Sequence, residues 1–543
     1  MVAYLGGLDE ADRLGVVQAA WGQDGDSQRV LFDSTSPRFV EIDTHRLRVE
    51  NVRAFGGAWL SLQLINKLGL RSFLEEAMPA GREEVPWSVM ALVLVIGRLL
   101  DPSSELRLAE HLYERTALPD LLGVPVSKVN EDRLYRGLDK LLPHKDALQA
   151  HLKNRLGELF DLKYDLLLYD VTSTYFEGQC PANPLAQRGY SRDQRFDCKQ
   201  VCIALVVSRC GMPVGYELFA GNRSDVTTVE EIVTTMEGRY GKSDRIWVMD
   251  RGMASADNLE FLKQENRRYI IGTPKSMLKK YESVLLKEDW SKVREGLEVK
   301  LCRDPEGQSD ETFILCRSSD RAGKERAMHD RFEQRIEEGL ARIVKACDRQ
   351  KLDAVKVSHR VGKLLGQNTR AAGAFKTNIQ VDPQGRAILK WEKVESWRNW
   401  SHLSEGCYLL RSNVRDWSAQ ELWQAYMQLT EAEGAFRIHK SDLSLRPVWH
   451  QKQQRVEAHV LVCFLAYVLW KMLAQWCKSA GLGDEPRKVL DEIAQVAMVD
   501  VVLPTKNGPD LIKRCVAQAS EHQKLLLHHL KLTLPTHLEV FPV

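Results

Sequence analysis

A chain of 543 residues exceeds what one hydrophobic core can fill, since single cores stop growing at roughly 250 to 300 residues, so two to four domains are expected. Its 44% hydrophobic and 28% charged residues are a globular composition and exclude a disordered or membrane-embedded chain. Lysine and arginine number 76 against 74 acidic residues, and the net charge of +2 means that any nucleic-acid surface has to be a local basic patch.

The opening segment, MVAYLGGLDEADRLG, holds no basic stretch followed by an apolar one, which predicts a chain without a signal peptide and a cytoplasmic home. Up to about residue 160 the apolar residues recur at three and four, over 55–78, 87–100 and 130–160, and predict a helical N-terminal domain. From 164 the pattern changes to short β-branched runs: DLLLYDVT, KQVCIALVVSRCG, MPVGYELFAG, RIWVMD and RRYIIGT. Cys210-Gly211 between the second and third marks a hairpin, and helices are expected after Asp225 and Ser255, each placed as a cap. Three strands, then helix, strand, helix, strand, describe a mixed sheet flanked by helices.

Between 276 and 405 the rhythm breaks into strand-like pieces (299–303, 312–316, 387–394) around one strongly charged helix, 324–347, and reads as an inserted subdomain. The strand CYLLRSN and long helices over 418–443 and 454–480 return to the core, and 481–543 reads as a helical tail. The apolar runs 90–97 and 460–470 fall short of the roughly 20 residues that span a bilayer and are closed by Arg98 and Lys471; they are expected to be buried helices. The 11 cysteines include no C-x-x-C pair, and Cys202, Cys316 and Cys463 lie in apolar runs, a pattern of reduced buried thiols.

Two apolar runs end in a carboxylate, LLLYD at Asp170 and IWVMD at Asp250. That puts each acid at the C-terminal tip of an expected core strand, where ligands sit in open sheets. Two such acids can share a hard cation such as Mg²⁺, which keeps waters and substrate phosphates in its shell. A third carboxylate is offered by Glu433, because Tyr426, Leu429, Glu433, Phe436, Arg437 and Lys440 fall on one helical stripe. The stretch from 437 to 455 carries Arg437, Lys440, Arg446, Lys452 and Arg455 against Asp442 and is the best candidate phosphate track. His439 and His450 lie within that track and are expected to be solvated or on phosphate. WEKVESWRNW places Trp391, Trp397 and Trp400 together, either as core or as a platform for an unpaired base.

The ordered segments YDVTSTYFEG, VMDRGM and Y-x2-L-x3-E-x6-K, followed by FRIHKSDLSLRPVWH, resemble the DDE transposases of the insertion-sequence-four group, over roughly 164–470. That resemblance implies an RNase H-like catalytic core in two parts, 161–275 and 406–480, interrupted by the β-containing insertion at 276–405. The helical domain at 1–160 would serve DNA-end binding or dimerisation. Asp170, Asp250 and Glu433 would be catalytic and hold two Mg²⁺ ions, with Mn²⁺ able to substitute, while Tyr426 and Lys440 would touch the DNA backbone near the cleaved bond. The signature has arginine where this chain has Leu429, and Arg437 is a neighbour that could supply the charge. The implied reaction is cleavage at the terminal inverted repeats and transfer of the 3′-hydroxyl ends into target DNA. A homodimer in a paired-end complex, in a bacterial cytoplasm and on the nucleoid when DNA-bound, is implied too; no membrane partner is.

Two rivals stand beside this reading. D-x-T-x-T after an apolar strand also resembles the phosphate-binding start of actin-like phosphotransferases, but the paired glycine-rich phosphate turns of those enzymes are not visible. A transposase-derived DNA-binding protein without catalysis is the other, against which the three intact carboxylates speak.

Overall fold

The computed structural model describes residues 41–538 apart from 243, 308, 351, 507 and 508; the opening segment read for a leader lies outside the described residues. By contacts the chain forms two compact units, one of 161–175 and 185–436, the other of 1–160, 176–184 and 437–543.

The first unit is built on a nine-stranded mixed sheet flanked by helices. Its elements in chain order are β1 (Leu166–Tyr175), β2 (Gln200–Ser208), β3 (Pro213–Ala220), helix α1 (Val229–Tyr240), β4 (Ile246–Met249), helix α2 (Ala256–Lys263) and β5 (Arg268–Gly272). Then come β6 (Ser291–Arg294), β7 (Leu297–Arg303), β8 (Thr312–Ser318), helix α3 (Ser319–Arg349), β9 (Cys407–Ser412) and helices α4 (Ala419–Met427) and α5 (Leu429–Arg437). The sheet order is β3-β2-β1-β4-β5-β9-β8-β7-β6. The first three strands are antiparallel, and β1, β4 and β5 are parallel, which is the RNase H-like arrangement. Apolar residues on nearly every position of β2 follow from burial of both faces of the sheet. Gly211, at φ +76°, closes the β2–β3 hairpin, where glycine turns without strain.

The strands of the insertion do not stand apart. β9 pairs antiparallel with β5, and β8, β7 and β6 continue the same sheet, while Phe375–Val381 and Ala387–Lys393 form a separate two-stranded ribbon. The charged helix α3 shows its few apolar residues, Ile336, Leu340 and Ile343, to a small core shared with Val357, Phe375 and Leu389.

The second unit holds the N-terminal helices, among them Trp87–Leu100 and Glu131–Leu141, and the 27-residue helix Gln453–Ser479. By length and composition that last helix could cross a bilayer, which the shorter 460–470 run concealed, yet 78% of its apolar window is buried inside the protein. It is a core helix, as its unbroken apolar pattern predicts. A four-stranded sheet is an addition to the helical reading of both termini: Arg48–Ala54 pairs with Ala497–Leu503, followed by Leu511–Val516 and His537–Leu538.

Candidate active site

The parallel pairing of β1 with β4 runs from Leu166 opposite Ile246 to Tyr169 opposite Met249. Asp170 and Asp250 are therefore the next residues of two neighbouring strands, which lie about 4.8 Å apart in any sheet. Asp250 ends its strand as expected. Asp170 does not: β1 continues to Tyr175, held by β2 alone, because the β-branched VTST suits extended backbone. The acid marks the end of the parallel pairing and not the end of the strand.

Glu433 sits exposed on α5. The single helix expected over 418–443 is broken: α4 ends at Met427, α5 begins at Leu429, and a wider turn follows at Ile438–Asp442. Leu429 and Phe436 of the expected stripe are buried, while Glu433 and Arg437 are exposed. Ser418 starts α4 with a full capping box, its hydroxyl accepting from the Glu421 N–H and the Glu421 carboxylate accepting from the Ser418 N–H.

Asp170 reports on all three acids. Burial pushes its carboxyl up to about 7; the Val171 N–H, which donates to Oδ1 at 2.8 Å, and the Arg192 charge oppose this, while Asp250 and Glu433 push it further up. The structure thus brings the three predicted carboxylates into one electrostatic neighbourhood. An all-carboxylate oxygen set is the donor chemistry that a hard divalent cation such as Mg²⁺ or Mn²⁺ takes.

Tyr426 is brought to the same place. Its hydroxyl donates to Asp250 Oδ1 at 3.4 Å, and burial raises the phenol above its ordinary range. Gly272 permits this approach: a Cβ there would stand 2.5 Å from Tyr426 Oη. Beyond Tyr426 opens a cavity of about 320 Å³ whose lining includes Arg251, Lys275, Arg294, Arg321, Tyr408 and Trp423. Glu325 takes part of that charge, through Lys275 at 2.7 Å and Arg321 at 3.2 Å. Sequence reasoning does not find these cations because they come from four separate segments.

Arg192 is a second residue that the sequence pattern leaves unmarked. It lies in the loop between β1 and β2, its N–H donates to Ser173 Oγ at 3.4 Å, and its guanidinium pairs with Asp225. Asp225, expected to cap a helix, lies in a short turn, Asp225–Thr228, where it makes no such bond and is an ion-pair partner instead. Ser255 does cap α2, accepting from Asn258 at 3.1 Å.

The basic run of 437–455 belongs to the other unit. Lys452 is exposed, whereas Arg455 is held by Asp139 at 3.2 Å and stacks on Tyr135 at 4.6 Å. Both histidines depart from the solvated reading, because the chain folds back and covers them. His439 is 5% exposed against the Tyr467 ring, and His450 pairs with Glu105 at 3.3 Å. Glu105, His450 and His459 bring possible ligand atoms within 4.8 Å of one another. Arg98, which can only donate, faces His459 Nδ1 at 3.4 Å, so Nε2 carries the proton toward the Leu445 carbonyl at 3.4 Å. Both nitrogens of His459 are then used, and a buried guanidinium opposes a cation. The cluster is a hydrogen-bonded anchor, with His459 held neutral by burial and by Arg98.

The three tryptophans of the WEKVESWRNW segment are engaged in packing. Trp391 and Trp397 lie against the core of the α3 helix and its ribbon, and Trp400 stacks under Lys279 at 4.5 Å.

A family model described as a transposase DDE domain matches residues 161–469. No curated protein matches the chain. Among solved structures, a piggyBac transposase synaptic complex with hairpin DNA aligns at TM-score 0.37 and 10% identity, over 80% of this chain and 77% of that chain. A Mos1 transposase paired-end complex with the left transposon end aligns at TM-score 0.15 and 12% identity, over 35% of this chain and 59% of that one. At such scores the likeness is slight.

Proposed function

The chain belongs to the transposase DDE-domain family, and on that premise we propose that it is an insertion-sequence transposase of the insertion-sequence-four group, acting in a bacterial cytoplasm. It cuts the phosphodiester at each terminal inverted repeat and joins the 3′-hydroxyl ends to target DNA, working as a homodimer with one end per protomer. Asp170, Asp250 and Glu433 hold the metal, and the observation that carries the reading is the parallel pairing of Tyr169 with Met249, which sets Asp170 and Asp250 side by side on neighbouring strands.

Two Mg²⁺ ions bound by these acids would supply activation of the attacking oxygen and stabilisation of the leaving one. The chain's own residues do the rest. Tyr426 fixes the Asp250 carboxylate by its hydrogen bond, so that acid is oriented before DNA arrives. Arg251, Lys275, Arg294 and Arg321 give the cavity a positive field that draws strand phosphates beside the acids. In the other unit, Lys440, Arg446, Lys452 and Arg455, together with Arg437, would contact the DNA backbone.

The test is cleavage of a labelled duplex carrying the element's end, with Mg²⁺, Mn²⁺ or EDTA, by wild type and by Asp170→Ala, Asp250→Ala and Glu433→Ala. Metal-dependent cutting at the end by wild type alone, with DNA binding retained in all variants, is expected. Full activity of Glu433→Ala would remove the third carboxylate from the proposal, and binding without cutting by wild type would leave a DNA-binding relic.

A further inference from the structure

Position 429 poses a problem that the rest of the fold answers. The signature that this chain resembles carries arginine there, but Leu429 is 7% exposed and packed inside its unit, so no cation stands at that point of α5. Arg437 is exposed at the helix end. A strand of DNA lying over three carboxylates still needs positive charge close to its phosphates.

The loop between β1 and β2 is built to hold one. Gln187 and Gln200 exchange backbone hydrogen bonds at 3.2 and 2.9 Å. The side chain of Gln200, 2% exposed, donates to the Tyr190 carbonyl at 3.1 Å and to the Gly221 carbonyl at 2.7 Å. Gly189 and Gly221 pass so close that a Cβ on Gly189 would stand 2.1 Å from the Gly221 oxygen. Ser191, also buried, accepts from the Arg195 N–H at 3.0 Å. Arg192 is the next residue, tied to Ser173 on β1, three positions after Asp170. On its other side stands Asp225, in a turn fastened to the residue before Asp170 through the 2.5 Å contact of Thr228 Oγ1 with Tyr169 Oη. Its backbone is thus held by Ser173 on β1 and its guanidinium by the Asp225 turn, which packs on the Tyr169 face of the same strand, and its side chain remains 26% exposed.

We propose that Arg192 is the arginine that contacts the DNA backbone at the phosphate adjoining the cleaved bond, taking over the charge that Leu429 lacks, with Asp225 holding it in place until DNA is bound. This rests on the reading of the chain as a DNA-cutting transposase. The Arg192 charge works against the upward shift of the Asp170 carboxyl, beside the contacts that hold its backbone to Ser173 and its guanidinium to Asp225. An alternative purely structural role, pinning the Asp225 turn, makes a different prediction, because removing either partner would then do equal damage.

Single-turnover cleavage of the end duplex separates the two, using wild type, Arg192→Ala, Arg192→Lys and Asp225→Asn, on normal DNA and on DNA with one neutral methylphosphonate next to the cleaved bond. Arg192→Ala is expected to lower the maximal rate by about 10²- to 10³-fold, as loss of one positioned donor does, with a smaller change in DNA affinity. Arg192→Lys should recover part of the rate, and Asp225→Asn should stay within about tenfold of wild type. The methylphosphonate should slow wild type strongly and Arg192→Ala little further. Equal losses in Arg192→Ala and Asp225→Asn, or a methylphosphonate effect undiminished in Arg192→Ala, would overturn the assignment. If Arg192→Ala does not fold, Arg192→Gln, which keeps a polar side chain without the charge, separates the two roles with the same pair of substrates. Failure of wild type to cut at all would instead strike the functional reading beneath it.

Discussion

Replacing Asp170 by asparagine should stabilise the metal-free protein, although it removes a residue proposed to be essential. The carboxyl is raised from 3.8 to about 7, first by burial and then by Asp250 and Glu433. A group whose folded value lies above its unfolded value favours folding only while protonated. Its contribution is full below about pH 3.8 and is lost as pH rises through about 7. At about 1.4 kcal/mol per pH unit, the ionised Asp170 opposes folding at pH 8 by up to about 4 kcal/mol, and by about half of that once solvent relaxes around the partly exposed group. Asparagine keeps an acceptor for the Val171 N–H and carries no charge. In EDTA at pH 8, Asp170→Asn should therefore melt higher than wild type by roughly 2 to 4 °C per kcal/mol. The gap should shrink toward pH 5, where wild type is protonated, and reverse in saturating Mg²⁺, which stabilises wild type by about 2.7 kcal/mol at a hundredfold excess over Kd. Differential scanning calorimetry resolves the unit that responds. A variant no more stable than wild type in EDTA at pH 8, or a gap equal at both pH values, would refute the argument.

Three other outcomes follow. Glu105 is buried, and although desolvation alone would raise its carboxyl, the bond with His450 holds it down at about 2. Its support exists above about pH 4.5 and disappears only as pH falls through 2, so Glu105→Gln should lower thermal stability at pH 7 by about 2 to 3 kcal/mol and not at pH 2. Gly189→Ala forces a Cβ against the Gly221 carbonyl and should cost about 1 to 3 kcal/mol, read as a lower melting point and faster proteolysis within 185–199. Lys452→Ala should reduce the slope of log affinity against log salt by about 0.9 in a DNA-binding titration; Arg455→Ala should change it less, because Asp139 already holds that charge.

Much of the first unit is legible in the sequence because its signals are local. DLLLYD and IWVMD are apolar runs closed by an acid, and both form strands whose ends or pairing limits carry Asp170 and Asp250. The order of strands and helices from β1 to β5 likewise follows from short β-branched apolar runs alternating with helical stretches. Glu433 is different: no local rule separates it from Glu431 on the same helix, and it is singled out by the spacing of a family signature.

The sequence by itself determined the strands and helices from β1 to β5, their order and the two strand acids Asp170 and Asp250, since apolar runs and the charges that close them are written within a few residues. Only the tertiary structure decided the partners. Arg192 is one polar residue in a polar loop until the Gly189, Gly221 and Gln200 contacts turn it toward β1. His439 and His450 read as solvated until packing buries the first against Tyr467 and pairs the second with Glu105. The charged strand RVENVRA pairs with AMVDVVL from the far end of the chain. In each case the deciding contact joins residues distant in sequence. The energy of such a contact exists only once the chain has closed the loop between them, so no local pattern encodes it.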